Sequence, residues 1–318
     1  MKDRGFEVWV YNSHTHPFQE KSWNGIHLIH CYDPEDSIGT AGQFVYDFNC
    51  IVDSRKRNFD IILQLGYTSN SVWHWLLPGK SKIITNMDGL EWKRSKYSPL
   101  VRKFLKYAEK LAVRSSHWLV ADSEAIQNYL QKTYTAESVF IPYGATVFDA
   151  PNPQIIADFK VAPASYFLAI ARMQSDNHVE EIINGVLLSN TDFPLLVIGN
   201  TNNKYGQYLK SKYNHKNILF LGSIYNQEVL NQLRYHALGY FHGHSAGGTN
   251  PSLLEAMASS SMICAHDNPF NRSVLLDNAL FFNSPDDIAL IIKNQHFNSN
   301  RNQKIALNIE RIKNAYNP

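Results

Sequence analysis

A chain of 318 residues has room for one large domain or two of ordinary size, and 44% apolar with 18% charged residues is enough to build real cores. A formal net charge of +2 excludes a bulk electrostatic drive toward nucleic acid, so any basic surface must be local. Cys31, Cys50 and Cys264 lack CxxC spacing, and Cys31 and Cys264, in apolar strand-like runs, read as small buried residues of a reducing compartment. The polar start M-K-D-R-G-F-E-V is no signal peptide, and no apolar run is long enough to span a membrane, so the expectation is a cytoplasmic protein.

Taken in order, residues 6–11 and 26–31 are short apolar runs that predict strands, and 39–57 carries Phe44, Val45, Phe48, Ile51 and Val52 at helical spacing. Strands are predicted at 59–65, 82–86, 117–121 and 137–142, with helices at 69–77, 99–115 and 123–133. Residues 143–163, with Gly144, Pro151, Pro153 and Pro163, read as a linker. A second alternating series follows. Its strands fall at 166–171, 194–199, 217–222, 238–241, 262–266 and 279–282, and its helices at 179–188, 204–212, 227–235, 251–260, 285–294 and 300–316. Alternation of this kind predicts an α/β protein of two doubly wound halves meeting near residue 150, with ligands outside the carboxyl ends of the strands, in a cleft between the halves. A doubly wound domain normally opens on strand, glycine turn and helix. Residues 1–5 look instead like the tail of a helix, so the chain is expected to begin late.

The stretch 242–258, H-G-H-S-A-G-G-T-N-P-S-L-L-E-A-M-A, follows an apolar strand. Gly247 and Gly248 permit a sharp turn, Thr249 and Asn250 are good N-caps, and Pro251 suits the first helical position. Such a junction collects free N–H groups and suits a phosphate or diphosphate; it also occurs as an ordinary strand-to-helix connection. Arg172 leaves a strand at its carboxyl end, where it can reach the same ligand or simply point into solvent. After the strand at 82–86, Asp88, Glu91, Lys93 and Arg94 crowd around Trp92, which reads equally as a sugar-recognising loop and as a charged loop with an aromatic anchor. Arg102, Lys103, Lys106, Lys110 and Arg114 lie nearly on one helical face, opposite Val101, Phe104, Leu105, Ala108, Leu111 and Ala112. That stripe is either a solvated face or a patch for anionic lipid head groups. The pairs His14/His16 and His242/His244 lack the ligand sets of a metal site, so no metal is expected, and neither G-x-S-x-G, nor a P-loop, nor G-x-G-x-x-G at a helix start is present.

G-G-T-N-P-S-L-L-E-A-M-A resembles the donor-site motif of family 4 retaining glycosyltransferases, which have the GT-B fold of two Rossmann-like domains facing a cleft. D-G-L-E-W-K-R-S-K-Y, with V-A-D-S-E-A-I-Q-N-Y, is similar to the bacterial branch of β-1,4-rhamnosyltransferases of capsule and cell-wall polysaccharide synthesis. The resemblance runs from Tyr11 to about Phe282. It implies an acceptor-side domain over 1–150, incomplete at its start, a nucleotide-sugar domain over 151–299, and a terminal helix over 300–318 returning to the first domain. It implies that Glu255 contacts the donor ribose and Arg172 the diphosphate. Asn177 replaces a lysine, with His178 beside it, and Gly247 replaces a glutamate. The turn 247–250 with Ser252 and His244 is then left to hold sugar and diphosphate. Asp88 and Glu91 are candidates for acceptor or sugar contacts. The implied donor is a nucleoside-diphosphate sugar, dTDP-L-rhamnose by analogy, without any other cofactor. The implied acceptor is a lipid-linked saccharide at the inner membrane face. Two alternatives stay open: a non-catalytic nucleotide-sugar-binding relative, and an epimerase of the same fold.

Overall fold

The computed structural model describes residues 1–94, 97–245 and 248–317. The chain divides into two compact units that are discontinuous in sequence. The first takes Met1–Asp88, Leu100–Val120 and Leu130–Val139, the second Gly89–Pro99, Ala121–Tyr129 and Phe140–Pro318. Two loops that follow strands of the first half therefore belong with the second unit.

In the first half, β1 (Trp9–Ser13), β2 (Ser22–Trp23) and β3 (Ile26–Cys31) form a small sheet ordered β1-β3-β2, with β1 parallel and β2 antiparallel to β3. Helices α1 (Glu35–Ile38) and α2 (Gly42–Ser54) lead into a second sheet. It runs β4 (Ile61–Gln64), β5 (Lys82–Asn86), β6 (Trp118–Ala121), β7 (Val139–Phe140), with β4, β5 and β6 parallel. Helix α3 (Pro99–Ser115) precedes β6, and α4 (Glu124–Tyr134) follows it. The sequence predicts one parallel sheet here and two ladders are found, because β1 and β4 each keep an outer edge unpaired among the described residues.

The second unit carries β8 (Phe167–Ile170), α5 (Val179–Ser189), β9 (Leu195–Ile198), α6 (Lys204–Lys212), β10 (Ile218–Gly222), α7 (Gln227–His236) and β11 (Gly239–His242). It continues through α8 (Pro251–Ala258), β12 (Ile263–His266), α9 (Pro269–Leu275), β13 (Leu280–Phe282), α10 (Pro285–Lys293) and α11 (Arg301–Ala315). All six strands are parallel, in the order β10-β9-β8-β11-β12-β13. The chain winds outward from β8 to β10 and then returns to place β11 on the other side of β8. That reversal is the switch point at which open parallel sheets bind ligands.

Side chains alternate across this sheet with period two. Leu168, Leu196, Ile198 and Tyr240 pack with α8 residues such as Leu254 and Met257 in one core, while Phe167, Val197 and Phe241 pack with Val179, Ile183 and Ile288 in another. Both faces are covered, as a parallel sheet requires. Helix α11 lies on α8, and Ile312 with the following Tyr316 completes the first of these cores.

Candidate functional site

At the carboxyl ends of β8, β9, β10 and β11 the second unit encloses a cavity of about 500 Å3, a size that accommodates a nucleotide. Arg172, Gln174 and Asn177 line it from the loop after β8, and Asn200 and Asn203 from the loop after β9. Ser223 and Tyr225 follow β10, His242 and His244 end β11, and Asn250 and Ser252 open α8.

Local chemistry fixes these positions. Asn250 is the N-cap of α8: its side chain accepts from the Ser252 N–H at 2.9 Å, and Pro251 occupies the first turn. Asn203 caps α6 in the same way and also donates to the Met173 carbonyl at 3.0 Å, which ties the β9 loop to the β8 loop. Gly243 lets the β11 loop press against the β8 loop, since a Cβ there would fall 2.0 Å from the Asn177 carbonyl oxygen. At Gly248 a Cβ would fall 1.8 Å from a carboxylate oxygen of Asp122, a residue only 2% exposed in the loop between β6 and α4.

Asn177 joins two walls of the cavity. Its amide nitrogen donates to the Arg172 carbonyl at 2.7 Å, so its oxygen faces His244 Nδ1 at 2.8 Å. That network assigns the proton of a neutral His244 to Nδ1 and leaves Nε2 as the basic nitrogen. Next to it, burial holds the His242 imidazole well below its ordinary value, and the charges of His244, Arg234 and His266 act in the same direction. His266, stacked on His178 at 4.1 Å, is pushed down to about 4, first by burial and then by His178. The histidines at this edge that are buried are therefore neutral at pH 7. Arg172 is exposed and makes no ion pair with any described residue. A cavity with the neutral His242 imidazole, amide side chains, a helix N-terminus and one unneutralised guanidinium is suited to an anionic, hydroxyl-rich ligand.

The donor-side residues named from sequence divide into two groups. Arg172, Asn177, His244, Asn250 and Ser252 line the cavity together. Thr249 does not offer its hydroxyl to it: the side chain is 3% exposed and donates to the Asp122 carbonyl at 2.5 Å. Glu255 stands outside the lining and is paired with Arg234, Nη2 to Oε2 2.5 Å, while Gly248 packs on Asp122. Gly247 lies outside the described residues. Of the two residues assigned from sequence to acceptor or sugar contacts, Asp88 adopts φ +29°, a left-handed backbone conformation it shares with ten other described non-glycine residues. The Glu91 carboxylate is held by Arg94 at 2.9 Å, and Arg94 also approaches the buried Asp176 at 3.9 Å. Neither Asp88 nor Glu91 lines the cavity.

The basic stripe of α3 is thinner than its spacing implies. Lys103, Lys110 and Arg114 are exposed, whereas Arg102 is half-buried and Lys106 turns inward to the buried Glu109 at 2.9 Å. Leu105, Ala108 and Ala112 are buried, but Val101 and Phe104, assigned to the apolar face, reach solvent, as do Leu100 and Tyr107. Among the described residues no cluster of three or more His, Cys, Asp or Glu is disposed to hold a metal ion, and no helix is long and apolar enough to cross a membrane. Asp122, Arg234, Asn200 and Asn203 were not readable as site residues. Only Asn203 carried a signal, as a cap three residues before Gly206.

Residues 71–146 match a family model described as a domain of unknown function, DUF1972. No curated protein matches the chain significantly. Among solved structures, the chain is similar to a sucrose-phosphate synthase from Thermosynechococcus elongatus, at 14% identity and a TM-score of 0.79 over 99% of this chain and 86% of that one. It is similar to Anabaena Alr3699/HepE, solved in complex with UDP and glucose, at 14% identity and a TM-score of 0.73 over 92% and 83%. It is also similar to TarM, at 14% identity and a TM-score of 0.65 over 85% of this chain and 55% of that one. These likenesses define the fold as that of the GT-B glycosyltransferases.

Proposed function

We propose that the protein is a retaining glycosyltransferase that moves a sugar from a nucleoside-diphosphate donor to a sugar hydroxyl. The observation that carries this reading is the cavity at the switch point of the second unit, where Arg172 and the N-terminus of α8 flank a wall of neutral polar side chains. As the glycosidic bond breaks, negative charge develops on the leaving diphosphate, and fixed donors already aimed at it stabilise that charge without reorganising. In this reading Arg172 and the N–H groups of the turn Gly248–Asn250 that leads into α8 do so without a divalent metal. His244, fixed through Nδ1 by Asn177, helps to hold the sugar and diphosphate. Asp88 and Glu91 serve the acceptor side.

The donor we assign is dTDP-L-rhamnose and the acceptor a lipid-linked saccharide of polysaccharide synthesis. The protein is then cytoplasmic and peripheral on the inner membrane face, with Lys103, Lys110 and Arg114 on the anionic surface. This rests on the sequence resemblance and on the exposed cations of α3. The test is thermal stability with dTDP, UDP and GDP, each with and without Mg²⁺. A ligand at 100 times its Kd stabilises by about 2.7 kcal/mol. A shift with dTDP that is lost in Arg172→Ala supports the rhamnosyl donor. A shift with UDP or GDP alone keeps the transferase and replaces the sugar. The absence of any shift sinks the nucleotide-sugar reading.

A further inference from the structure

The least expected charge in the second unit is Arg234. It sits on α7, is 1% exposed, and reaches across to α8. Its Nη2 contacts Glu255 Oε2 at 2.5 Å and Ser252 Oγ at 3.3 Å, and Ser252 in turn meets the Tyr240 hydroxyl at 3.0 Å. As a fastener between two helices this is a poor choice. Desolvating a guanidinium offsets what its ion pair returns, so well-packed apolar side chains would hold α7 to α8 at least as firmly. The burial is also lopsided, with the Glu255 side chain still one-third exposed while its partner is sealed in. Ser252, bonded to the same nitrogen, is part of the cavity wall. The guanidinium thus holds the carboxylate from the buried side, and Glu255, outside the lining itself, stays solvent-accessible one helical turn from Ser252 of the cavity wall.

We propose that Arg234 is a positioning residue: it holds the Glu255 carboxylate in the one orientation that accepts a hydrogen bond from a hydroxyl of the nucleotide's ribose. The inference rests on the nucleotide-sugar reading above. It adds the element that makes Glu255 discriminate, since an unpinned glutamate on a helix surface would spread over several rotamers. Arginine suits the task because Nη2 reaches Glu255 and Ser252 while Nη1 bonds Asn231 Oδ1 at 3.4 Å, a spread of donors that a lysine ammonium lacks.

The test compares binding of UDP and of 2′,3′-dideoxyuridine diphosphate, which keeps base and diphosphate but has no ribose hydroxyl. Calorimetry is run on the wild-type chain, Arg234→Lys, Arg234→Met, Glu255→Gln and the Arg234→Lys/Glu255→Gln double variant. For one charge-assisted hydrogen bond the wild type should prefer UDP by about tenfold or more. In Arg234→Lys and Glu255→Gln that preference should collapse toward one, with the dideoxy affinity unchanged, and the double variant should be no worse than either single. Arg234→Lys keeps a buried cation and carries the test if Arg234→Met does not fold. A structural tie predicts a different result: both nucleotides weaken by the same factor and the preference survives, which overturns the proposal. A wild type without preference overturns it as well. A wild type that binds neither nucleotide removes the nucleotide-sugar reading and this inference with it.

Discussion

The two halves of the chain build parallel strands under different conditions. In the second unit every residue of β9 and β11 is buried, and helices cover both faces of the sheet. In the first, β4 stands at a sheet edge with Ile61 and Leu63 50% and 43% exposed. A sheet sandwiched on both sides fixes the height and direction of every strand exit, so loops leaving it can be packed against each other with almost no clearance. The Asn177 and Gly243 loops meet in this way. A site that holds a ligand by pre-aimed dipoles needs that rigidity, and only the second unit's sheet supplies it on both faces.

Glycine substitutions test this difference with the largest expected effect. Gly243→Ala puts a methyl 2.0 Å from a main-chain oxygen, which cannot rotate aside, so the two loops must separate. Overpacking of this kind costs about 1–3 kcal/mol, and nucleotide-dependent stabilisation should disappear. In the first unit Gly79 has nothing within 4 Å of an added Cβ. Gly79→Ala should therefore stay within about 0.5 kcal/mol in chemical denaturation. Equal losses at both glycines would mean that the two units do not differ in how tightly their loops are packed. The next effect is on affinity alone. Arg172 is exposed and unpaired with described carboxylates, so Arg172→Ala should leave unfolding unchanged. It should weaken nucleoside-diphosphate binding about 10- to 100-fold by calorimetry, the value of a charge-assisted contact.

Much of the second unit was legible because each signal was local. The six strands and the cap Asn250 follow from apolar runs bounded by a capping residue. Helix α9 was missed although Asn268 caps it and Pro269 opens it, because seven residues are too few to establish a period. The cavity wall was legible where a residue leaves the end of a strand, as with Arg172. It was not legible where distant segments meet. Asp122 lies 127 residues before Thr249, whose hydroxyl it accepts, and no spacing rule links them. Arg234 looks like one more surface cation of α7 until the fold turns it inward. The split of the first half into two ladders was equally hidden, since strand pairing is a choice among partners and the apolar pattern of a strand does not name its neighbour.

Acidification should move the two units in opposite directions. His266, at about 4 in the folded chain and near 6.5 when unfolded, contributes stability above about pH 6.5 that is lost as pH falls toward 4. The buried His242 adds to the same loss. In the first unit burial raises Asp47 to about 6, although Ser69 donates to it at 2.5 Å. A raised carboxyl contributes stability that is present below about pH 4 and lost as pH rises through 6. Between pH 7 and pH 5 the second unit should thus weaken while Asp47 becomes less costly. Melting curves of His266→Gln and Asp47→Asn across that range give the check. Each variant should flatten its own slope, the histidine variant reducing the acid loss and the asparagine variant removing the acid gain. Unchanged slopes in both would mean that these two groups do not set the response.

The smallest effect on the folded chain is expected from α3, where it separates two lysines that the sequence treats alike. Leu100, Lys103, Phe104, Tyr107, Lys110 and Arg114 share one helical face, and all six are exposed. Aromatic and apolar side chains interleaved with cations suit the head-group region of an anionic bilayer better than open water. Lys106 is not part of that face, because it pairs with Glu109, whose carboxylate also receives the Tyr134 hydroxyl at 2.6 Å. Lys110→Gln should leave unfolding within about 0.5 kcal/mol. It should lower cosedimentation with phosphatidylglycerol vesicles about fivefold, one cation near an anionic surface being worth about 1 kcal/mol. Lys106→Gln should do the reverse, lowering stability because Glu109 keeps its burial and loses a counter-charge, with vesicle binding intact. If the two variants behave alike, or if neither changes vesicle binding, α3 is an ordinary solvated helix and the membrane location assigned to the first unit falls with it.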